Sequence, residues 1–452
     1  MKESISAKRF VCLLLFVGFT SVGWSQKHKE YYSNHALKEI GRYKHEKEAG
    51  LWIYYYENGQ ISSKGKYKEG LKIEEWISYH STGAMMDIGI YESGKKTGEW
   101  LSFHDNEVLG AKGMYVDGVR SGIWKFYTRL GQLQAEGNYE KGLQIGIWNY
   151  YYENGQLKET GSWLQDKMQG EWAFYYPNSN LRKTGSWEMG LKSGVWTYYA
   201  ETGVLEKRCE WKDDHEEGLC EYYYPSGKLK EAGRWKDGLQ IGEWIYYYEN
   251  QKIEKKGFWD GELNAGVWTY YYPNGNVQRF GERKNGYNVG HWVYYFEWGT
   301  KKEEGDFDEV GIKKGNWRIY HNNGMLASTG QFLNKKETGR WKYYDEDEKL
   351  MQEGFWVNGQ ENGVWLYYHG NGKLRTQGNW KKGVQTGEWM YYYASGKLKE
   401  HGYWKNNIQD GNWLYYHENG KLQQEGAFRN GKPFGEWKDY DLSGNYTTSR
   451  YY

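Results

Sequence analysis

The sequence predicts an all-β fold: an elongated antiparallel array of about 17 β-hairpin units, each 24 residues long. Three observations predict it. A tryptophan returns every 24 residues, glycine and further aromatic residues return in phase with it, and the composition leaves little for a thick globular core. Of 452 residues, 38% are hydrophobic but half of that share is aromatic, and 61 glycines stand beside only 4 prolines. Many tight turns joining flat, ring-lined strands fit those proportions.

The period is set by Trp52, Trp76, Trp100, Trp124, Trp148, Trp172, Trp196, Cys220, Trp244, Trp268 and Trp292. One residue is inserted near Gly311, and the series resumes at Trp317, Trp341, Trp365, Trp389, Trp413 and Trp437. Seventeen slots hold sixteen tryptophans and one cysteine. Taking the key tryptophan as position 0, position +3 is always aromatic, as at Tyr55, Phe103 and Tyr151. Position +13 is glycine except at Cys209 and Arg450, and position +15 is aromatic except at Arg283.

A unit such as Trp148 to Glu171 reads as a hairpin. Its first strand is expected near 148–152, its turn at Glu153-Asn154-Gly155, and its return strand from about Leu157 to Trp163. Equivalent first strands are expected near 52–56 and 389–393. Pro177, Pro225 and Pro273 fall at the first turn corner, where a fixed φ suits the turn and no ladder donor is lost. The turn lacks its glycine at Glu107, Ser179, Gln251 and Glu348. A looser Gly-rich loop, such as Asp166 to Gly170, is expected before the next strand. The turn makes Tyr151 face Leu157 and Tyr55 face Ile61. Trp at 0 and Tyr at +3 have opposite parity, so either both faces carry aromatics or a bulge realigns them.

Residues 1–25 read as an export signal. Lys2, Lys8 and Arg9 precede an apolar run, Phe10 to Phe19, too short to span a bilayer, and Gly23 and Ser25 precede a cut at Gln26. Residues 26–51 read as a degenerate capping repeat with His28 in the tryptophan slot. Sixteen repeats are expected over 52–436 and a truncated one over 437–452. The formal charge of +1 becomes −1 once Lys2, Lys8, Arg9 and Glu3 are removed. Near-neutrality offers no general field for nucleic acid.

The run Tyr139-x-x-Gly142-x-x-x-Gly146-x-Trp148, with the Tyr-Tyr-x-Glu-Asn-Gly-Gln-Leu stretch around it, resembles the MORN repeat, in its bacterial variant form. The resemblance covers essentially residues 28–452. It implies an elongated β-array used for protein or membrane-surface contacts. Some relatives are labelled antitoxin-like. No catalytic residue carries over, because the motif positions are structural.

The residues point the same way. There is no G-x-S-x-G element, P-loop or H-E-x-x-H motif. His80, His104, His321, His369 and His417 share the +4 column, but equivalent strands stand roughly 9.5 Å apart, too far for one zinc ion to bridge. They are read as solvated strand-end histidines. Asp345 to Glu348 is read as a charged turn. No catalytic residue, cofactor or metal site is expected, and the chain is not read as an enzyme. Trp52, Trp100, Trp148, Trp196, Trp244, Trp292, Trp341, Trp389 and Trp437 are structural positions.

Cys209 and Cys220 replace a framework glycine and a framework tryptophan. In an oxidising compartment they could be bridged, or they could be two buried thiols. They are expected to lie diagonally, about 7–8 Å apart at Cα, which strains a bridge. The function expected is an exported scaffold, in the periplasm, at the cell surface or outside the cell, for an unknown protein partner or envelope surface. An aromatic glycan-binding module and an antitoxin-like or immunity-like binding protein are the rivals.

Overall fold

The structure, a computed structural model, describes residues 25–452. The predicted export signal, up to residue 24, lies outside the described residues. Among those described there are 38 strands and no helix. The chain divides into two units, one ending at Leu191 and one running from Lys192 to Tyr452. Within each unit the strands follow chain order as antiparallel hairpins, each strand pairing with the ones before and after it.

The repeat from Trp148 shows why the chain turns where it does. The Tyr152 N–H donates to the Gln156 carbonyl (2.8 Å) and the Gly155 N–H to the Tyr152 carbonyl (2.9 Å). This is the predicted turn, closed by a residue in the left-handed region. The repeats lacking glycine keep the same conformation at a strain cost, with φ of 64° at Glu107, 70° at Ser179, 67° at Gln251 and 57° at Glu348. Tyr151 faces Leu157 and Tyr55 faces Ile61, as the turn demands.

The second connection departs from expectation. Leu164 faces Lys167 directly, so Gln165 and Asp166 form a two-residue turn, with φ of 50° and 63°. Positive φ at both corners is the type I′ geometry that matches strand twist. No loose loop exists there. The next first strand starts at once and spans Lys167–Tyr175. Likewise the strands expected near 52–56, 148–152 and 389–393 are Gly50–Tyr55, Leu143–Tyr151 and Val384–Tyr392. Gly170 lies inside the strand as a bulge residue, at φ 68°. The residue inserted near Gly311 is absorbed in a longer turn, where the Asp308 N–H donates to the Ile312 carbonyl (2.9 Å).

A thin sheet must bury its rings against itself. Trp148 stands opposite Gly161, and Gly161 stands opposite Trp172 on its other side. The Trp172 indole lies back across that glycine: a Cβ there would sit 2.1 Å from the ring. The +13 glycine is thus required by space. The Trp172 Nε1–H then donates to the Ser162 carbonyl (3.0 Å). All sixteen tryptophans of the column are at most 5% exposed. Position +15 supplies an edge contact, Trp163 to Trp172 at 5.5 Å and 84°. Position +2 bridges consecutive tryptophans, with Tyr150 at 5.9 Å from Trp148 and 6.5 Å from Trp172.

Both faces carry aromatics. The Tyr151 hydroxyl donates to Glu136 (3.0 Å), whose neighbour Gly137 belongs to the tryptophan face. By strand alternation Tyr151 therefore lies on the opposite face. The residual bulge falls in the return strand, where the register shifts between Tyr150 and Tyr151.

Candidate functional site

The repeated polar columns hold hairpin to hairpin. The +4 tyrosine donates to the +3 carbonyl of the next hairpin, as Tyr152 does to Tyr175 (2.8 Å). The +4 histidines do the same work with Nε2: His80 reaches Phe103 O at 3.0 Å, His104 Tyr127 O at 2.9 Å, His321 Tyr344 O at 2.9 Å, His369 Tyr392 O at 2.9 Å and His417 Tyr440 O at 3.1 Å. The solvated reading of these histidines is corrected: each is half-buried and engaged, which explains why histidine and tyrosine interchange there. Position +6 adds a second tie, Asn154 Nδ2 to Pro177 O at 2.9 Å. Asp345 accepts from the Asp347 and Lys349 N–H groups (3.0 and 2.8 Å), closing its acidic run as a charged turn.

Two groups of potential metal ligands come together among the described residues. One is Cys209, Glu216 and Cys220, in which the two sulfurs are joined to each other. The other, which spacing did not reveal, is His28, Glu30 and Glu39. There Glu39 meets His28 at 2.9 Å and Glu30 meets Lys38 at 2.7 Å, so both carboxylates have a cation or imidazole beside them.

The cysteines are not diagonal. Cys209 stands directly opposite Cys220, with Cα atoms 4.1 Å apart and both side chains fully buried. The bulge at Gly218 (φ 92°) shifts the register that a regular ladder would give. Their slots are those of a framework glycine and the tryptophan that covers it. Removing the ring removes the reason for the glycine, and the bonded pair occupies the same place.

Half-buried phenols line the tryptophan face of the second unit. Desolvation pushes Tyr246, Tyr343, Tyr391 and Tyr415 up to about 12. A raised phenol favours the folded state fully below the ordinary tyrosine range and loses that contribution as pH climbs through about 12. Alkaline titration is expected to show these phenolates appearing together with loss of β-sheet circular dichroism. Phenolate absorbance saturating near pH 10 in an intact sheet would contradict the burial.

One stretch breaks the columns. Position +2 is Ser78 and Ser102 in adjacent hairpins, between Tyr54 and Phe126. The two hydroxyls meet Asp87, Ser78 at 3.2 Å and Ser102 closer still. With the bridging rings gone, Trp76 and Trp100 rise to 4% exposure while Trp148 and Trp172 stay at 1%. Position +20 there is a cation three times running: Lys72, Lys96 and Arg120. Each caps the next tryptophan: Lys72 Nζ lies 4.0 Å from the Trp76 ring, Lys96 Nζ 3.8 Å from Trp100, and the Arg120 guanidinium carbon 4.6 Å from Trp124. Among the described residues no carboxylate pairs with any of the three, all half-buried. Burial, with Lys96 adding repulsion, holds the Lys72 ammonium below the usual lysine range. The signal was open in the sequence, as two serines in an aromatic column, but it carries meaning only once +2 and +20 are known to share a face.

A self-packed array of β-hairpins, locked by one tryptophan per repeat, defines the class: a hairpin-repeat protein. The MORN repeat variant model matches eleven stretches, 49–69, 120–141, 144–165, 192–213, 216–237, 265–285, 313–334, 337–358, 361–382, 385–406 and 409–430. These make up just over half of the chain, and the protein belongs to the MORN repeat variant family. No curated protein matches the chain. Among solved structures, the TcdB2-TccC3-Cdc42 crystal structure is 11% identical over 92% of this chain and 28% of its own, with a TM-score of 0.15. The Tc holotoxin pore of Photorhabdus luminescens is 12% identical over 94% of this chain and 26% of its own, with a TM-score of 0.14. The chain thus spans under a third of the length of these structures.

Proposed function

We propose that the chain is an exported, non-catalytic scaffold that holds a protein partner or an envelope surface across successive hairpins. One observation carries this reading: the recurring polar side chains are spent on neighbouring hairpins, so the repeat presents regular surface rather than reactive groups. The +4 phenols and imidazoles end on carbonyls, the +3 phenols of Tyr151, Tyr320, Tyr368 and Tyr440 on carboxylates, and the +6 amides on the next turn. Export rests on the basic and apolar run before Gln26.

Two measurements test it. Fractionation of the cells that make the protein should recover a chain beginning at Gln26 outside the cytoplasm. That processed chain, immobilised whole, should retain a component of the envelope fraction and none from the cytosol. A cytosolic chain with residues 1–25 intact would overturn export, and turnover of any substrate by the purified chain would overturn the non-catalytic reading.

A further inference from the structure

We propose that the tryptophan face of the first unit carries a binding site for an acidic polysaccharide, laid across the hairpins along Lys72, Lys96 and Arg120, with Ser78, Ser102 and Asp87 at its floor. The proposal rests on the envelope-scaffold reading and names its ligand.

The argument begins with what the repeat normally does there. In most other repeats a +2 ring stands there, as Tyr150 does between Trp148 and Trp172, Ile319 and Asp439 being the further exceptions. Ser78 and Ser102 leave that bridge out twice in succession, so no +2 ring joins Trp76 to Trp100 or Trp100 to Trp124. The floor there is polar: one carboxylate shared between two hydroxyls, opposite each in register. A carboxylate with spare acceptor sites beside hydroxyls is suited to the hydroxyl pairs of a sugar ring.

The rim carries the charge. The three cations sit at equivalent places in consecutive hairpins, about 9.5 Å apart by the spacing of strands. That step is close to the rise of one disaccharide in an extended β-linked glycan, so a polymer with one carboxylate per disaccharide could meet a cation at every hairpin. Each cation rests on an indole and, at 5.1–5.4 Å, on a +15 phenol. The apolar faces of sugar rings can stack on such phenols. The cations are partly desolvated and lack carboxylate partners, although the Arg120 guanidinium donates to the Tyr139 hydroxyl (3.3 Å), so an incoming anion gains a charge-assisted bond without displacing an internal ion pair. Lys192 and Lys313 cap their tryptophans too, but each stands alone in its column and beside an aromatic or apolar +2 residue. An anionic bilayer shares the charge, but it is flat and presents no row of ring hydroxyls to the Asp87 carboxylate.

The test uses the processed full-length chain and hyaluronate, whose carboxylates fall once per disaccharide. Neutral dextran and phosphatidylglycerol vesicles are run beside it. The chain is expected to be retained on hyaluronate, to be released by salt, and to ignore dextran. K72Q/K96Q/R120Q should weaken retention at least about 100-fold, since each charge-assisted contact is worth about tenfold or more. Glutamine occupies this slot at Gln144 and Gln240, so the fold should survive, which thermal unfolding checks. S78Y/S102Y restores the repeat's own ring and should abolish retention with the cations intact. K192Q and K313Q should leave it unchanged. Failure of the wild-type chain to bind hyaluronate, equal binding by the triple variant, or binding to vesicles alone would overturn the site. Retention of an envelope component by all variants alike would leave the scaffold reading standing without it.

Discussion

Replacing Trp244 by alanine is expected to cost about 3–5 kcal/mol in the hairpins that adjoin it. Its side chain is fully buried, covers Gly233 where a Cβ would come within 2.1 Å of the ring, and donates to the Arg234 carbonyl at 3.2 Å. Trp235 meets it edge-on at 5.9 Å, while Tyr222 and Tyr246 lie against it at 6.2 and 6.1 Å. The void would therefore open on both neighbouring hairpins. The damage should stop there, because repeats in such arrays touch only their neighbours. Hydrogen exchange is the suitable readout: protection should fall around 220–260 and persist near Trp389. Trp52→Ala, beside the worn first repeat, should disturb less of the array. Equal and complete unfolding by both changes would contradict a nearest-neighbour array.

The second expectation concerns the cysteine pair. Mass spectrometry of the protein, alkylated without reductant, should find Cys209 and Cys220 joined. The bridge closes a loop of separation 11, for which chain entropy gives roughly 2.5–3 kcal/mol. C209G should lose that contribution and leave a void. C220W should fare worse, because an indole placed there meets the Cys209 side chain. C209G/C220W together rebuild the glycine–tryptophan lock of the other repeats, so the double variant should recover most of the loss. A coupling of about 0.5–3 kcal/mol between the two sites is expected. Additive single effects would mean that the two positions do not form one lock, and two free thiols would end the disulfide.

Much of the fold was legible because the period repeats one physical problem many times. The hairpin turn could be read from Asn154-Gly155 and from the phase of Pro177, Pro225 and Pro273. The facing of Tyr151 and Leu157 followed from it. What could not be read was the partner of each tryptophan. Spacing tells that Gly161 and Trp172 recur together, but the side to which an indole leans is a rotamer and register matter. The glycine at +22 misled for a related reason. In Gly146 and Gly170 it reads as part of a loop, whereas it bends a continuous strand. That bend moved Cys209 opposite Cys220. Ser78 and Ser102 were visible as letters, but their shared face with the +20 cations was not.

Because the column indoles from Trp52 to Trp172 and from Trp244 to Trp437 lean backward along the chain, the two cut ends of a shortened array would differ in kind. Trimming hairpins from the C-terminal side strips the cover from a glycine and from the flanks of rings that stay held in their own hairpins; a chain stopped after Lys236 would uncover Gly233 with one side each of Trp235 and Tyr222. Trimming from the N-terminal side strips the platform from a tryptophan; a chain begun at Gly50 would leave the Trp52 indole without Gly41 beneath it and without the Arg42 carbonyl for its N–H. The first kind of end bares only ring flanks, whereas the second presents a whole indole without platform or N–H partner and should self-associate more. Shortened versions of this protein are therefore better made by removing repeats from the C-terminal side.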